Sequence, residues 1–262
     1  MTARRVLLTG AAGRIGIAFR EIIGDRYVLR LADRREGLDA LAGQGQGVRT
    51  FDLANAAACQ EACRDIDTVV HLGADPSRQA DFYGALLDNN IKGTYNIFRA
   101  ARDQGCQRAI YTSSINAVDA YPADRQVAPD DPVRPPNRYG VSKCFGEAVA
   151  SYFAHSGGLS SIVVRIGTFA TPERLPQRNA RHLSTLVSRR DPIQPLLRCI
   201  ETPDIPFAIV HDVSNNRYKR LDITSARELL GYAPEDDAFR LFDVPLPERS
   251  PPWGVAHRME EP

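Results

Sequence analysis

Short runs rich in Val, Ile and Leu recur along this chain with helix-length stretches between them, and that alternation constrains the fold more than any other feature. The runs are Val6–Leu8, Tyr27–Leu31, Val48–Phe51, Thr68–Leu72, Ala109–Thr112 and Ser161–Ile166. Strands that are apolar on both faces must be covered on both faces, which points to a parallel sheet flanked by helices. Six such runs suit an α/β, doubly wound parallel sheet. The connectors carry the matching helical period: Ile15, Ala18, Phe19, Ile22 and Ile23 in the first, and Leu86, Leu87, Ile91, Thr94, Ile97, Phe98 and Ala101 in a later one.

After Gly167 the pattern loosens. Thr171–Arg178 is polar and proline-punctuated and reads as a loop, and Thr224–Leu230 followed by Gly231 reads as a short helix with a Thr or Ser start and a glycine stop. The prolines at 245, 247, 251 and 252 mark an extended tail. The expected organisation is a nucleotide-binding unit over residues 1–170, with 171–262 as a small substrate-binding segment and tail packed on the same core.

Lys and Arg total 33 against 32 Asp and Glu, a balance that calls for neither nucleic acid nor an anionic membrane surface. The apolar run ending at Gly10 is too short for a signal-peptide core, and no stretch reaches the roughly 20 apolar residues of a membrane span. A cytoplasmic protein is expected. The five cysteines are odd in number, scattered and without partner Cys/His pairs; even Cys59 and Cys63, one helical turn apart, lack a second pair, so reduced thiols and no metal site are expected. The histidines stand without metal partners and read as packing or surface residues.

The first run enters Thr9-Gly10-Ala11-Ala12-Gly13-Arg14-Ile15-Gly16 and then a helical stretch. Three glycines where a strand turns into a helix N-terminus allow a tight turn and a close approach to a pyrophosphate, whose charge the free N–H groups and the helix dipole favour. The second run ends at Asp33, about 20 residues past the loop, where a carboxylate can accept bonds from an adenosine ribose and repel a 2′-phosphate. That favours NAD over NADP, with Arg34 and Arg35 working against the repulsion. Asp52 is placed either to meet the adenine amino group or to serve as the acid at a helix N-terminus.

Tyr139-Gly140-Val141-Ser142-Lys143 puts a phenol and an ammonium on one helical face, where Lys143 can lower the pKa of Tyr139 and leave it a general base. Ser114 closes the fifth run at the strand end where open α/β sheets bind ligands, so it can bond a reacting hydroxyl. Turn or cap chemistry is the other reading of Ser113 and Ser114.

Taken in order, the loop at Gly10, Gly13 and Gly16, the Asn89-Asn90-Ile91-Lys92-Gly93-Thr94 segment, Ser113-Ser114 and Tyr139 through Lys143 resemble the extended short-chain dehydrogenase/reductase superfamily, over about residues 4–170. The resemblance implies a Rossmann fold and Ser114, Tyr139 and Lys143 as catalytic residues, with Asn90 as a structural or relay residue. It implies NAD as cofactor, held by the loop with Arg14 and Ile15, by Asp33, Asp52, Leu53, Leu72, Gly73, Ala74, Asn90 and Ile166, and by Tyr139 and Lys143.

Tyr139 through Glu147, Arg165-Ile166-Gly167 and Arg181-His182-Leu183-Ser184-Thr185 are similar to the uronate dehydrogenase branch and its compact sugar 1-dehydrogenase kin. That likeness implies substrate contacts from Ser77, Thr168 and Arg181, beside Ser114, Ile115, Asn116 and Tyr139. The branch has asparagine directly after the catalytic serine, whereas here Ile115 intervenes before Asn116. The Ala74-Asp75-Pro76-Ser77 turn and the Arg174-to-Arg178 stretch depart as well.

A guanidinium holds a carboxylate, sulfonate or phosphate through paired hydrogen bonds, so Arg181 points to an acidic sugar, while Arg189 and Arg190 read as solvated charge. The expected reaction is oxidation at C1 of a cyclic acidic aldose to its lactone. A hexuronate such as glucuronate or galacturonate, sulfoquinovose and glucose 6-phosphate are all open as substrates. A nucleotide-sugar epimerase or dehydratase, and a non-catalytic NAD sensor, stand as alternatives. The resemblance further implies a homo-oligomer, a dimer or higher, paired through helices near residues 82–103 and 138–156.

Overall fold

Arg5–Thr9 forms β1, whose last four residues are buried. The computed structural model describes residues 3–35, 47–170 and 179–244. Around β1 lie β2 (Val28–Asp33), β3 (Gly47–Thr50), β4 (Thr68–His71), β5 (Arg108–Ser114), β6 (Ser160–Ile166) and, at the far edge, β9 (Phe207–Asp212). The order β3-β2-β1-β4-β5-β6-β9 is parallel throughout. The chain steps outward from β1 to β3 and then returns to lay β4 against β1, so the two neighbouring strand ends diverge there and open a crevice.

The strand alternation divides the core in two. Val6 and Leu8 point to the side covered by α1 (Arg14–Ile23) and α6 (Ile193–Glu201), while Leu7 and Val69 face α2 (Ala56–Cys63), α3 (Gly93–Asp103) and α4 (Arg138–Gly157). The five cysteines are unpaired and mostly buried. Among the described residues no cluster of His, Cys, Asp or Glu could hold a metal, and no helix is long and apolar enough to cross a membrane.

All six expected strands are present, and β9 is a seventh that the sequence reading missed. Its first three residues are only half-buried, since an edge strand needs less apolar character, and its place comes from pairing with β6, from Ser161 opposite Phe207 to Ile166 opposite Asp212. The segment after residue 170 thus completes the main sheet. It also supplies α5 (Ala180–Thr185) and the short β8 (Leu186–Val187), which pairs with β7 (Thr168–Phe169). The expected loop at Thr171–Arg178 and the proline-marked tail lie outside the described residues.

The short helix α7 spans Thr224–Leu230 and stops at Gly231, whose φ of 64° is the left-handed stop. It starts at Thr224 as expected, and the Asp222 carboxylate accepts the Thr224 N–H at 2.9 Å. The helix expected around Leu86 begins as a π-helical segment, Phe82–Lys92, before tightening into α3. Such wide turns concentrate at functional sites, and this one carries Asn90.

Asp212 closes β9 with 0 % exposure, and one carboxyl oxygen accepts from Tyr232 Oη at 2.8 Å while the other has no hydrogen-bond partner among the described residues. Burial pushes its pKa up to about 7, with Asp191 adding to the rise and the Tyr232 bond opposing it. The folded state therefore keeps a proton that the unfolded chain releases near pH 4, so the contribution of Asp212 to stability falls as pH rises from about 4 to about 7, opposite in sign to that of the buried His71 and His211, whose pKa values burial lowers to about 3. Asp212→Asn is expected to remove that slope, which amounts to a few kcal/mol, in urea titrations across this range. A variant whose slope matches the wild type's would show that another group carries it.

Candidate active site

The crevice at the β1/β4 divergence is a cleft of about 740 Å3 running from the glycine loop to α5. Gly10 has φ of 69°, which disfavours any side chain, and a Cβ there would stand 2.8 Å from the Gly73 nitrogen. A Cβ on Gly16 would stand 2.4 Å from the Gly10 carbonyl oxygen, so the loop lies flat against the start of α1. Gly13 caps α1 with no side-chain bond, and Gly13, Arg14, Ile15 and Gly16 line the cleft. A glycine cradle over an uncapped helix start is what a pyrophosphate requires, and the residues present fit a dinucleotide.

Asp33 reaches the same cleft from the end of β2. Its Oδ2 accepts from the Ala12 nitrogen at 3.0 Å and its Oδ1 from the Arg35 nitrogen at 3.2 Å, which ties the acid to the loop. Arg34 and Arg35 line the cleft as well; Arg35 donates to the Ala12 carbonyl at 2.8 Å and Arg34 to Asn89 Oδ1 at 3.2 Å. Leu53, Leu72, Gly73, Ala74 and Ile166 complete this half.

Two expected cofactor residues, the exposed Asp52 and the buried Asn90, do not line the cleft. Asp52 accepts from the Ala54 nitrogen at 2.8 Å in the turn leading into α2, and its neighbours Phe51 and Leu53 face the cleft. Asn90 is buried, accepts from the Asp75 nitrogen at 2.8 Å, and donates to the Asp75 carbonyl and to Ser142 Oγ at 3.1 and 2.8 Å. It fastens the turn after β4 to α4.

α4 is capped by Asn137, whose side chain accepts from the Gly140 nitrogen, and carries Tyr139, Lys143 and Glu147 along one stripe. Gly146 lets the helix press on β5, since a Cβ there would meet the Tyr111 ring at 2.2 Å. Tyr139, Lys143 and Ser114 meet on the cleft wall. Lys143 Nζ donates to the Thr112 carbonyl at 2.8 Å and lies 4.9 Å from the centre of the Tyr111 ring and 5.7 Å from that of Tyr139. Burial lowers its pKa to about 8, against the pull of Glu147.

The phenol differs from the sequence expectation. Desolvation pushes Tyr139 up to about 12; the hydrogen-bonded Ser114 hydroxyl pulls the other way, Asp75 adds to the rise and Arg78 opposes it. At nearly 6 Å from the ring centre and bonded to a carbonyl, the ammonium acts on the phenol too weakly to offset its burial. His71, beneath this group, is buried with Nδ1 2.7 Å from Thr9 Oγ1, and burial holds its pKa down to about 3.

At the other end stand Ile115, Asn116, Thr168, Arg181 and His182. Thr168 Oγ1 lies 2.9 Å from Thr185 Oγ1. Ser77 is exposed, accepts from the Gln79 nitrogen at 3.3 Å and does not line the cleft, whereas Asp75, Pro76 and Arg78 of the same turn do. Arg78 Nε donates to Asn116 Oδ1 at 2.9 Å, Asn137 Nδ2 donates to the same oxygen at 3.0 Å, and Asn116 Nδ2 donates to Ser114 Oγ at 3.1 Å. Arg78 and Arg181 both bond Asp119.

Sequence reasoning missed Arg78, Asp119 and Asn137. Arg78 had one faint signal, its adjacency to Ser77; the other two had none, because separate loops bring them together. Arg189 and Arg190 are exposed and ion-paired, with Glu21 and with Glu235 and Asp236. Arg174 and Arg178 lie outside the described residues.

Residues 6–202 match the model of the NAD dependent epimerase/dehydratase family. The chain is 36% identical to the uronate dehydrogenase of Pseudomonas putida over 89% of its length and 85% of the relative's. It is 35% identical to the NAD-dependent glucose-6-phosphate dehydrogenase of Haloferax volcanii, over 93% and 98%. A solved structure of a mutant uronate dehydrogenase from Agrobacterium tumefaciens, complexed with NAD, superposes with a TM-score of 0.80 at 34% identity over 95% of this chain and 92% of that one. With its sheet order, glycine cradle and Ser114–Tyr139–Lys143 group, the chain belongs to the NAD dependent epimerase/dehydratase family.

Proposed function

We propose that the chain is an NAD-dependent sugar 1-dehydrogenase that oxidises C1 of a cyclic acidic aldose to the lactone. The observation that carries this is one cleft holding a dinucleotide cradle, a Ser–Tyr–Lys group in the middle and guanidinium groups at the far end. The relatives support the reaction class, since their names include uronate and sugar-phosphate dehydrogenases, both acting on acidic sugars.

In this reading the loop and α1 hold the pyrophosphate, Asp33 the adenosine ribose, and Lys143 the ribose nearest the reacting carbon. Bound NAD supplies the hydride acceptor. Ser114 orients the anomeric hydroxyl, Tyr139 takes its proton, and Arg181 with Thr168 holds the distal acid. The test is NADH formation with glucuronate, galacturonate, sulfoquinovose and glucose 6-phosphate. Turnover of at least one is expected, and turnover of none removes the substrate claim.

The same reading includes a paired assembly. Tyr83, Tyr95, Val141 and Tyr152 are exposed on the π-helical segment, α3 and α4, and apolar groups on helices of this kind suit a helical interface between copies. Light scattering is expected to give twice the chain mass or more, and a monomer at micromolar concentration ends that part of the reading.

A further inference from the structure

Asp119 stands between two arginines that arrive from different parts of the chain. Its Oδ2 accepts from Arg78 Nη2 at 3.0 Å and also from Arg181 Nη2. The carboxylate is nearly hidden, with 7% of its side chain exposed, while Arg78 and Arg181 keep 49% and 35%. Both arginines line the cleft and Asp119 does not. A ligand entering therefore meets two guanidinium groups fixed from behind by a shared acid. Arg78 is also held by Asn116, which reaches Ser114 Oγ, so this wall is coupled to the reacting end of the cleft.

Two guanidinium groups and one carboxylate carry one net positive charge; Asp75 also lines the cleft and Arg220 acts on Asp119 and Arg181 from behind, and these two cancel, so the balance at this end stays at one positive charge. A carboxylate or a sulfonate carries one negative charge and is matched by that wall. A phosphate monoester carries close to two at neutral pH and leaves one uncompensated beside a fixed, buried acid. Fixing the forks in advance also reduces the conformational entropy lost when an anion binds.

We propose that Asp119 is a specificity-determining positioning residue, which sets Arg78 and Arg181 as a clamp for the singly charged acid of a sugar and against a sugar phosphate. The inference rests on the acidic-sugar reading above and narrows it.

The test is binding of glucuronate and of glucose 6-phosphate to the full, NAD-loaded chain above about pH 7, by calorimetry. The wild type is expected to favour glucuronate about tenfold. Asp119→Asn, which raises the wall by one charge, is expected to shift that ratio about tenfold toward the phosphate. Arg78→Met is expected to weaken glucuronate about tenfold with NAD affinity unchanged. A folded Asp119→Asn protein with a ratio within about twofold of the wild type's overturns the proposal, as does a wild type that prefers the phosphate. Should that variant not fold, unchanged glucuronate affinity in Arg78→Met overturns it. A wild type that binds neither sugar, nor galacturonate nor sulfoquinovose, takes the acidic-sugar reading and this inference down together, whereas wild-type binding of glucuronate with unresponsive variants removes the inference alone.

Discussion

Tyr139→Phe is expected to lower kcat on the acidic sugar about a thousandfold while leaving NAD affinity within about twofold. The substitution removes one oxygen and keeps the ring, so the contact with α4 and the cleft wall stays and only the proton acceptor goes. With the phenol pushed up to about 12 by burial, its base form is a small fraction at neutral pH and grows about tenfold per pH unit. Wild-type kcat/KM should therefore climb with pH through the neutral range, and the variant's residual rate should not follow the same climb. Fluorescence titration with NADH and steady-state rates across pH check both halves. A variant that retains a tenth of the wild-type rate would show that the proton leaves by another route.

Arg165→Met is expected to cost about 3–5 kcal/mol of stability and to lower Tm by roughly 10 °C or more. Arg165 and Glu147 form a two-bond pair, both at 2.8 Å, with side chains 2% and 5% exposed. Glu147 Oε1 also accepts from Ser113 Oγ at 2.6 Å, and Arg165 Nη1 donates to the Pro129 carbonyl at 3.1 Å. Removing the guanidinium leaves a carboxylate buried between α4 and the sheet without its countercharge, which costs far more than the pair contributes. Replacing both partners, as in Glu147→Leu with Arg165→Met, should recover part of the loss, since no orphan charge remains. Calorimetric unfolding of the three variants checks this; a single variant within about 1 kcal/mol of the wild type removes the argument. Because Glu147 follows Lys143 by one helical turn, the single variant should also loosen Lys143, seen as a weaker grip on NAD.

Much of the cofactor half was legible in order along the chain because its signals are local. Gly10 to Gly16 must turn a strand into a helix within a few residues, Asp33 must end the next strand, and Tyr139 and Lys143 must share a helix face, so spacing alone carries the geometry. For Asp52 and Asn90 the sequence left a structural and a cofactor reading open, since a turn-capping acid or a fastening asparagine and a cofactor contact leave the same trace. The edge strand β9 escaped because it is half apolar and is defined by its pairing with β6. Ser77 stays outside the cleft while Asp75, Pro76 and Arg78 line it, because the turn after β4 has no period to fix which side chains point inward.

The sequence by itself determined the parallel sheet, the glycine loop and the Tyr139–Lys143–Glu147 stripe on α4, because apolar period, glycine and side-chain spacing act over a few residues. Only the tertiary structure decided the arginine wall and the state of the phenol. Arg78, Asp119 and Arg181 are far apart in the chain and meet through strand order, and the proton affinity of Tyr139 follows from how deeply the folded cleft removes it from water.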